Sequence, residues 1–487
     1  MKKYGFGFTL GQNYDIIIQS NDKQKEGGFI MNRTGDTIAA ISTPQATGGI
    51  GMVRISGRDA GAIADKVFRS VNGVALAPAK GYTAHYGHVY DDNEMIDEAI
   101  AIVYRQPKSY TGEDVVELSC HGGLYLIRQV LRAVLQNGAR LAEPGEFTRR
   151  AFENGKISLT QAESVMDLIH AQGKQAARAA ISAREGVLAR KIDRLKARIV
   201  GYAAHLSAWA DYPEEDLIPV DTSELSQGLG ECINELQKMI RDGDAGRIMR
   251  DGVDTVIIGK PNVGKSTLMN CLAGCERSIV THIAGTTRDI VEERVVVGDV
   301  ILRLADTAGI HDTDDPVESI GVERAVRRMN QAELILALFD YSQPLDETDY
   351  RLLGNLKHRP CVAIVNKSDM PHQIQTESIQ AYVSHVVEIS AKDDVGLEQL
   401  AEKISELLGI SQLNPAEGIL SGERQLQCAR RCLAELREAV QALTIGMTLD
   451  AVGVSIDSAV AALLELTGER VTEVVTDAVF HQFCVGK

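Results

Sequence analysis

Residues 259–266 read Gly259-Lys260-Pro261-Asn262-Val263-Gly264-Lys265-Ser266, a G-x-x-x-x-G-K-[ST] run. Few stretches constrain a fold more tightly, because the run needs a buried strand before it and a helix after it. Both flanks qualify. Val256-Ile257-Ile258 is an apolar strand candidate, and residues 266–272 can start a helix. Glycines let successive backbone N–H groups turn inward on phosphate oxygens. The helix that follows points its positive dipole end at the same anion. Lys265 is expected at the β- and γ-phosphates and Ser266 at Mg²⁺, with Thr267 beside them. A chance glycine turn is the alternative for a motif met alone.

Four further elements follow in chain order. Thr286-Thr287-Arg288-Asp289 supplies Thr287 as a second Mg²⁺ contact. The loop Thr281, His282, Ile283, Ala284, Gly285, Thr286 and Thr287 is expected around the nucleotide. A hairpin over residues 294–304, turning at Gly298-Asp299, runs into Asp306-Thr307-Ala308-Gly309, a D-x-x-G element. There Asp306 is expected near the metal, with Gly309 free to move with the γ-phosphate. Asn366-Lys367-Ser368-Asp369 follows a strand over residues 362–365 and resembles the N-K-x-D element of GTPases. Asp369 would accept hydrogen bonds from the guanine N1–H and 2-amino group, a donor pair adenine lacks. Ser390-Ala391-Lys392 would support the guanine O6. Together the elements resemble a translation-factor-type G domain that binds GTP rather than ATP.

The chain of 487 residues has room for about three domains. At 44% apolar residues it can bury ample core. No run approaches the roughly 18 apolar residues of a membrane span, so no membrane partner is expected. A net charge of −16 argues against a broad phosphate-tracking face: no DNA partner is expected, and contacts with RNA would be local or supplied by a partner. The eight cysteines lack paired C-x-x-C spacing, which points to a reducing, cytoplasmic compartment. Cys271/Cys275 and Cys428/Cys432 read as i,i+4 pairs buried in helices, with a metal site as the minor alternative.

Residues 1–30 are polar and carry no secretory h-region. They read as a non-native or disordered extension, with translation starting at Met31. Residues 31–150 alternate strands and helices as an α+β domain. Strands are expected near residues 37–42, 49–57, 82–90 and 98–104 and into Cys120-His121-Gly122-Gly123. Helices are expected over residues 57–68 and 124–136. Residues 151–250 are Ala-, Leu- and Arg-rich at helical spacing, with Leu188, Ile192, Leu195, Ile199 and Leu206 recurring on one face. A helix over residues 225–240 is expected to end in a break at 241–246. Beyond a G domain over residues 251–410, helices are expected over 422–443 and 455–483, separated at 446–453. One all-α domain made of residues 151–250 and 411–487, interrupted by the G domain, is the economical reading. Two unrelated bundles are the alternative.

The runs Asp36-Thr37-Ile38, G-G-I-G-M-V-R-I-S-G, S-Y-T-G-E-D-V-V-E-L, C-H-G-G and P-G-E-F-T-R-R-A-F, with the terminal Phe483-Cys484-Val485-Gly486-Lys487, resemble the MnmE (TrmE) family of tRNA-modification GTPases. The resemblance extends from Met31 to the last residue. It departs mildly at the end, where Val485 stands for the family's Ile. It implies a multidomain α+β and α/β fold: an N-terminal tetrahydrofolate-binding and dimerisation domain, a discontinuous helical domain and an inserted Ras-like P-loop domain. Its implied folate residues are Arg54, Glu117, Lys156 and Lys487. The ligand would be 5,10-methylenetetrahydrofolate, or 5-formyltetrahydrofolate as a bound analogue. Glu117 would meet pterin N–H donors, and Arg54 or a lysine the glutamate tail. Taken as residues alone, Arg54 reads as a solvated strand arginine and Glu117 as a surface carboxylate. Cys484 reads as an inert buried thiol or, by family analogy, a functional one.

Ile310 follows the D-x-x-G element where a Ras-type glutamine would orient water. By resemblance, potassium and pairing of G domains replace it. K⁺ would sit at Asn262, Thr281, Ile283 and Thr286, and Glu318 would act on the attacking water alongside catalytic Lys265. As a residue alone, Glu318 is one more carboxylate at a helix start. The resemblance further implies an FAD-dependent partner, MnmG, in a heterotetramer. The pair would add an aminomethyl or carboxymethylaminomethyl group at C5 of the tRNA wobble uridine, with GTP hydrolysis driving domain movement. A ribosome-assembly GTPase is the rival, weakened by the folate-type domain and the F-C-V-G-K end.

Overall fold

The computed structural model describes residues 35–211, 221–274, 293–304 and 329–487. The extension over residues 1–30 therefore lies outside the described residues. The chain forms two compact units. One runs to Arg150 and includes the last four residues, Cys484–Lys487; the other is Ala151–Phe483.

The first unit is built on β1 (Ile38–Ile41), β2 (Ile50–Ser56), β3 (Phe68–Ser70), β4 (Thr83–Asp91), β5 (Glu94–Tyr104), β6 (Val115–His121) and β7 (Arg140–Leu141). They form one seven-stranded sheet in the order β3-β4-β5-β6-β2-β1-β7. All neighbours are antiparallel except β1 and β7. Alternation along β5 sends Ala99, Ala101 and Val103 into the core. There they join residues of α1 (Ala60–Val67) and α2 (Leu124–Gln136), such as Ala64, Val67, Ile127 and Val130. β5 starts at Glu94, earlier than the expected residue 98. Asp92 takes φ 52° in the turn, so Asp91 can pair with Glu94 and extend the hairpin. The chain leaves this unit in α3 (Glu146–Glu153).

The second unit continues with α4 (Leu159–His170), α5 (Lys174–Arg184), α6 (Val187–Asp211) and α7 (Thr222–Asp251). Ser158 starts α4 with a reciprocal capping box to Gln161. The expected stripe Leu188, Ile192, Leu195, Ile199 and Leu206 is buried along α6. The expected break at residues 241–246 is absent, and α7 runs unbroken to Asp251. Gly243 and Gly246 are small for packing. A Cβ on Gly243 would lie 2.7 Å from Leu426 Cδ2, and one on Gly246 would lie 2.5 Å from Ile419 Cγ2.

α7 feeds directly into β8 (Val253–Gly259), then α8 (Lys265–Gly274), β9 (Glu293–Val297), β10 (Val300–Leu304), β11 (Leu334–Asp340), α9 (Glu347–Leu356), β12 (Cys361–Asn366), α10 (Thr376–Gln380), β13 (His385–Ile389) and α11 (Leu397–Leu407). The strands form a six-stranded sheet in the order β13-β12-β11-β8-β10-β9. It is parallel apart from β9, which pairs with β10 across the expected turn at Gly298-Asp299. Its central strands are near-continuous apolar runs because both faces are covered.

The chain then returns to helices: α12 (Glu423–Thr444), α13 (Leu449–Thr467) and α14 (Glu473–Phe480). The expected separation at 446–453 is shorter, since α13 already begins at Leu449 and takes in Gly453. The expected single helix over 455–483 is divided at Gly468, whose left-handed φ of 90° ends α13. Leu426, Cys428, Cys432 and Leu436 of α12 and Ile456 and Leu463 of α13 share one core with α6 and α7. The helices before and after the G-type sheet are thus one discontinuous bundle. Cys428 and Cys432 are buried within it. Cys271 lies half-buried on α8, its thiol donating to Asp394, while Cys275 lies outside the described residues. Among the described residues, no helix is long and apolar enough to cross a membrane.

Candidate nucleotide site and N-terminal cluster

Three segments come together at the carboxyl ends of parallel strands, where open α/β sheets bind ligands. Residues 259–266 leave β8, Asn366 to Asp369 leave β12, and Ser390 to Lys392 leave β13. Asn366 connects all three. It is 3% exposed, its Nδ2 donates to Val263 O at 2.9 Å, and its Oδ1 accepts from Ala391 N at 3.0 Å. Asn262 takes φ 64°, a left-handed conformation that asparagine tolerates. Lys265 Nζ donates to the carbonyls of Gly259 at 3.1 Å and Lys260 at 2.8 Å. Ser390 Oγ lies 2.9 Å from Asp369 Oδ1 and 3.0 Å from Asp393 Oδ2.

Asp340, at the end of β11, is a site residue the sequence reading missed. Its Oδ2 accepts from Lys367 Nζ at 2.6 Å, and its Oδ1 from the Ser342 amide at 2.9 Å. Burial raises the Asp340 carboxyl, but the hydrogen bonds from Lys367 and Ser342 outweigh it and hold the group below its ordinary range. The available signal was an aspartate closing a fully apolar strand one position before a turn.

Val263, Gly264, Lys265, Ser266 and Thr267 are thus gathered with Asn262, Asn366, Lys367, Asp369, Ser390, Ala391 and Lys392. Thr281, His282, Ile283, Ala284, Gly285, Thr286, Thr287, Asp306, Thr307, Ala308, Gly309 and Glu318 lie outside the described residues.

In the N-terminal unit, Arg54 and Glu117 are directly opposed across β2 and β6. Arg54 Nε donates to Glu117 Oε1 at 2.8 Å, and its NH1 donates to the Gly486 carbonyl at 3.3 Å. The guanidinium lies over the rings of Tyr110 and Phe147, 5.4 and 5.6 Å from their centroids. Tyr104 donates to Glu117 Oε2 at 3.3 Å; burial and that carboxylate push its phenol above the ordinary value. Arg54 is therefore no solvated strand arginine, and Glu117 is buried rather than a surface carboxylate. Gly486 packs so closely on β1 that a Cβ would lie 2.2 Å from Ile41 O, and its carbonyl also accepts from Ser42 Oγ at 3.1 Å. Lys487 follows it in this unit, whereas Lys156 belongs to the other. Cys484 is exposed, which overturns the reading as a buried thiol.

The doubly wound sheet with its phosphate loop and N-K-x-D element defines a P-loop GTPase. The family is equally plain from sequence comparison. The family description "GTP-binding protein TrmE N-terminus" matches residues 37–156, and "MnmE helical domain" matches residues 159–484. A protein of Geobacillus kaustophilus named tRNA modification GTPase MnmE is 42% identical over 458 residues, covering 93% of this chain and 99% of that one. The protein of the same name from Clostridioides difficile is 39% identical over 455 residues, with the same shares. The chain belongs to the MnmE/TrmE family. Among solved structures, the G domain of the T. maritima FeoB iron transporter covers 32% of this chain and 98% of its own, at 26% identity and a TM-score of 0.24.

Proposed function

We propose that this chain is a potassium-activated GTP hydrolase that modifies C5 of the wobble uridine of tRNAs. It would act with an FAD-dependent MnmG-type partner and a tetrahydrofolate one-carbon donor, in the cytoplasm. The carrying observation is the near full-length likeness to proteins named tRNA modification GTPase MnmE, together with the assembled guanine-nucleotide motifs.

Lys265 would neutralise charge on the β- and γ-phosphates, and Asp369 would read guanine. Ser266 and Thr287 would hold Mg²⁺, and Glu318 would orient the attacking water. Asn262 suits a potassium site: its backbone is held at φ 64°, the residue is exposed at the crest of the loop, and its amide oxygen is a hard donor. Thr281, Ile283 and Thr286 would complete that site. A cation there supplies positive charge of the kind an arginine finger supplies elsewhere.

For the folate, Glu117 suits a pterin edge because it is a buried acceptor held in a fixed orientation. Arg54 is committed to Glu117 and Gly486 O, so we assign it the orientation of that carboxylate. Lys487 would meet the glutamate tail, and the exposed Cys484 would be available as a functional thiol. Homodimerisation would run through residues 31–150.

The test is GTP turnover in KCl against NaCl at equal ionic strength, repeated on dilution. Stimulation by K⁺ that weakens on dilution supports the reading. Equal rates in both salts refute it.

A further inference from the structure

The residue after the first glycine of the phosphate loop carries no role in the motif, yet its side chain meets two carboxylates. Lys260 Nζ lies 2.7 Å from Asp346 Oδ2 and 2.6 Å from Asp349 Oδ2. Those carboxylates form the capping box that begins α9. Asp346 Oδ1 accepts from the amides of Thr348 at 2.9 Å and Asp349 at 3.1 Å, and Asp349 Oδ2 accepts from the amide of Asp346 at 3.1 Å. Both carboxylates are thus fixed before Lys260 reaches them. α9 is itself rigidly held, since Leu353 and Leu356 are buried against β11 and β12. Asp349 is 6% exposed and Lys260 23%, whereas Asp346 is 57% exposed, so the Asp349 arm is half-buried and the Asp346 arm lies at the surface.

The clamp bears on the phosphate site from one side. The Lys260 carbonyl is one of two acceptors for Lys265 Nζ, and two residues later the backbone enters the left-handed conformation of Asn262. On the other side of that crest, Asn366 grips the carbonyl of Val263. The arch over residues 260–263 is pinned at both ends by protein side chains.

We propose that Lys260 is a positioning residue. Through Asp346 and Asp349 it fixes the crest of the phosphate loop to α9 and preorganises it for guanine nucleotide. The inference rests on the reading of residues 259–266 as the phosphate site. A loop shaped in advance loses less freedom when nucleotide binds, so the clamp acts on affinity more than on the hydrolytic step.

The experiment measures equilibrium affinity and release rate of fluorescent GDP and GTP analogues on the full chain. Lys260→Met is expected to weaken both nucleotides by about tenfold, mainly through faster release, with a smaller change in kcat. Lys260→Arg is expected to restore most of the loss. Asp346→Asn combined with Asp349→Asn is expected to match Lys260→Met, and the triple variant to lose nothing further, because all three residues act as one unit. Lys265→Ala is the control. If it abolishes binding while Lys260→Met stays within about twofold of the parent, the clamp proposal falls and the phosphate site stands. If Lys265→Ala leaves affinity unchanged, the phosphate-site reading itself falls. A lowered melting temperature with unaltered affinity in Lys260→Met also overturns the proposal, because that is what a purely structural pair produces.

Discussion

Asn366 donates its side-chain amide to the carbonyl of Val263, 2.9 Å away, and so joins the guanine-recognition element to the phosphate loop. The same side chain accepts from the amide of Ala391. One buried amide thereby sets the spacing between the groups expected to read the base and those expected to hold the phosphates.

Replacing Asn366 with alanine leaves a buried N–H and a buried C=O without partners. Each such group costs about 1–3 kcal/mol. Asn366→Ala is therefore expected to weaken GTP and GDP by at least about tenfold, with some loss of stability. Isothermal titration checks the affinity, and thermal unfolding checks the stability.

Glu117 offers an acceptor already oriented by Arg54 and Tyr104. Glu117→Gln keeps the shape but replaces one acceptor oxygen with a donor group. Affinity for 5-formyltetrahydrofolate is expected to drop by roughly tenfold or more, the scale of a hydrogen bond to a charged group, while GTP affinity stays level. Unchanged folate binding would remove Glu117 from the site.

Arg150 is 7% exposed and forms ion pairs with Asp36, Glu113 and Glu146 at 2.5, 3.2 and 3.1 Å. Removing it takes one cation from a network in which Arg140 still pairs with Asp36 and Glu146 and Ser56 still donates to Glu113, so Arg150→Met is expected to cost about 1–3 kcal/mol in urea unfolding of the N-terminal unit. The same network predicts an acid limit. Burial raises the Glu146 carboxyl, but its bonds to Arg140 and the Glu143 amide hold it below the ordinary value, and Asp36 is lowered against burial by Arg140 and Arg150. Folded protein then binds fewer protons than unfolded protein. The stability these groups contribute is present above their unfolded range near pH 4 and is lost as pH falls through their lowered folded values. Unfolding midpoints measured downward from pH 6 check this, and in Arg150→Met the acid-dependent part of the loss is expected to be smaller, because the folded carboxyls then titrate closer to their unfolded range.

Two glycines of α7 are expected to respond oppositely to alanine. At Gly243 the new Cβ would sit 2.7 Å from Leu426 Cδ2 and 2.8 Å from the Leu420 carbonyl, so overpacking of about 1–3 kcal/mol should outweigh any helix gain. At Gly230 nothing lies within 4 Å, and the substitution should stabilise by up to about 1 kcal/mol. Thermal melts of both variants decide it.

The local pattern of residues was enough for the phosphate loop, a strand at Val256-Ile257-Ile258 before it, the hairpin at Gly298-Asp299 and the apolar stripe from Leu188 to Leu206. Each of these is written in neighbouring residues, as a turn chemistry or a hydrophobic period. The reading failed where a glycine's purpose lay elsewhere in the chain. Gly243 and Gly246 look like a break until Ile419, Leu420 and Leu426 are seen against them. The clamp of Lys260 on Asp346 and Asp349 spans more than eighty residues, and no local spacing announces it. Arg54 and Glu117 were named separately; their pairing waits on the register of β2 against β6. Residue types carry the chemistry available to a site. Which charges meet, which carbonyl is gripped and which glycine must stay bare depend on packing between distant segments, so the tertiary structure decides them.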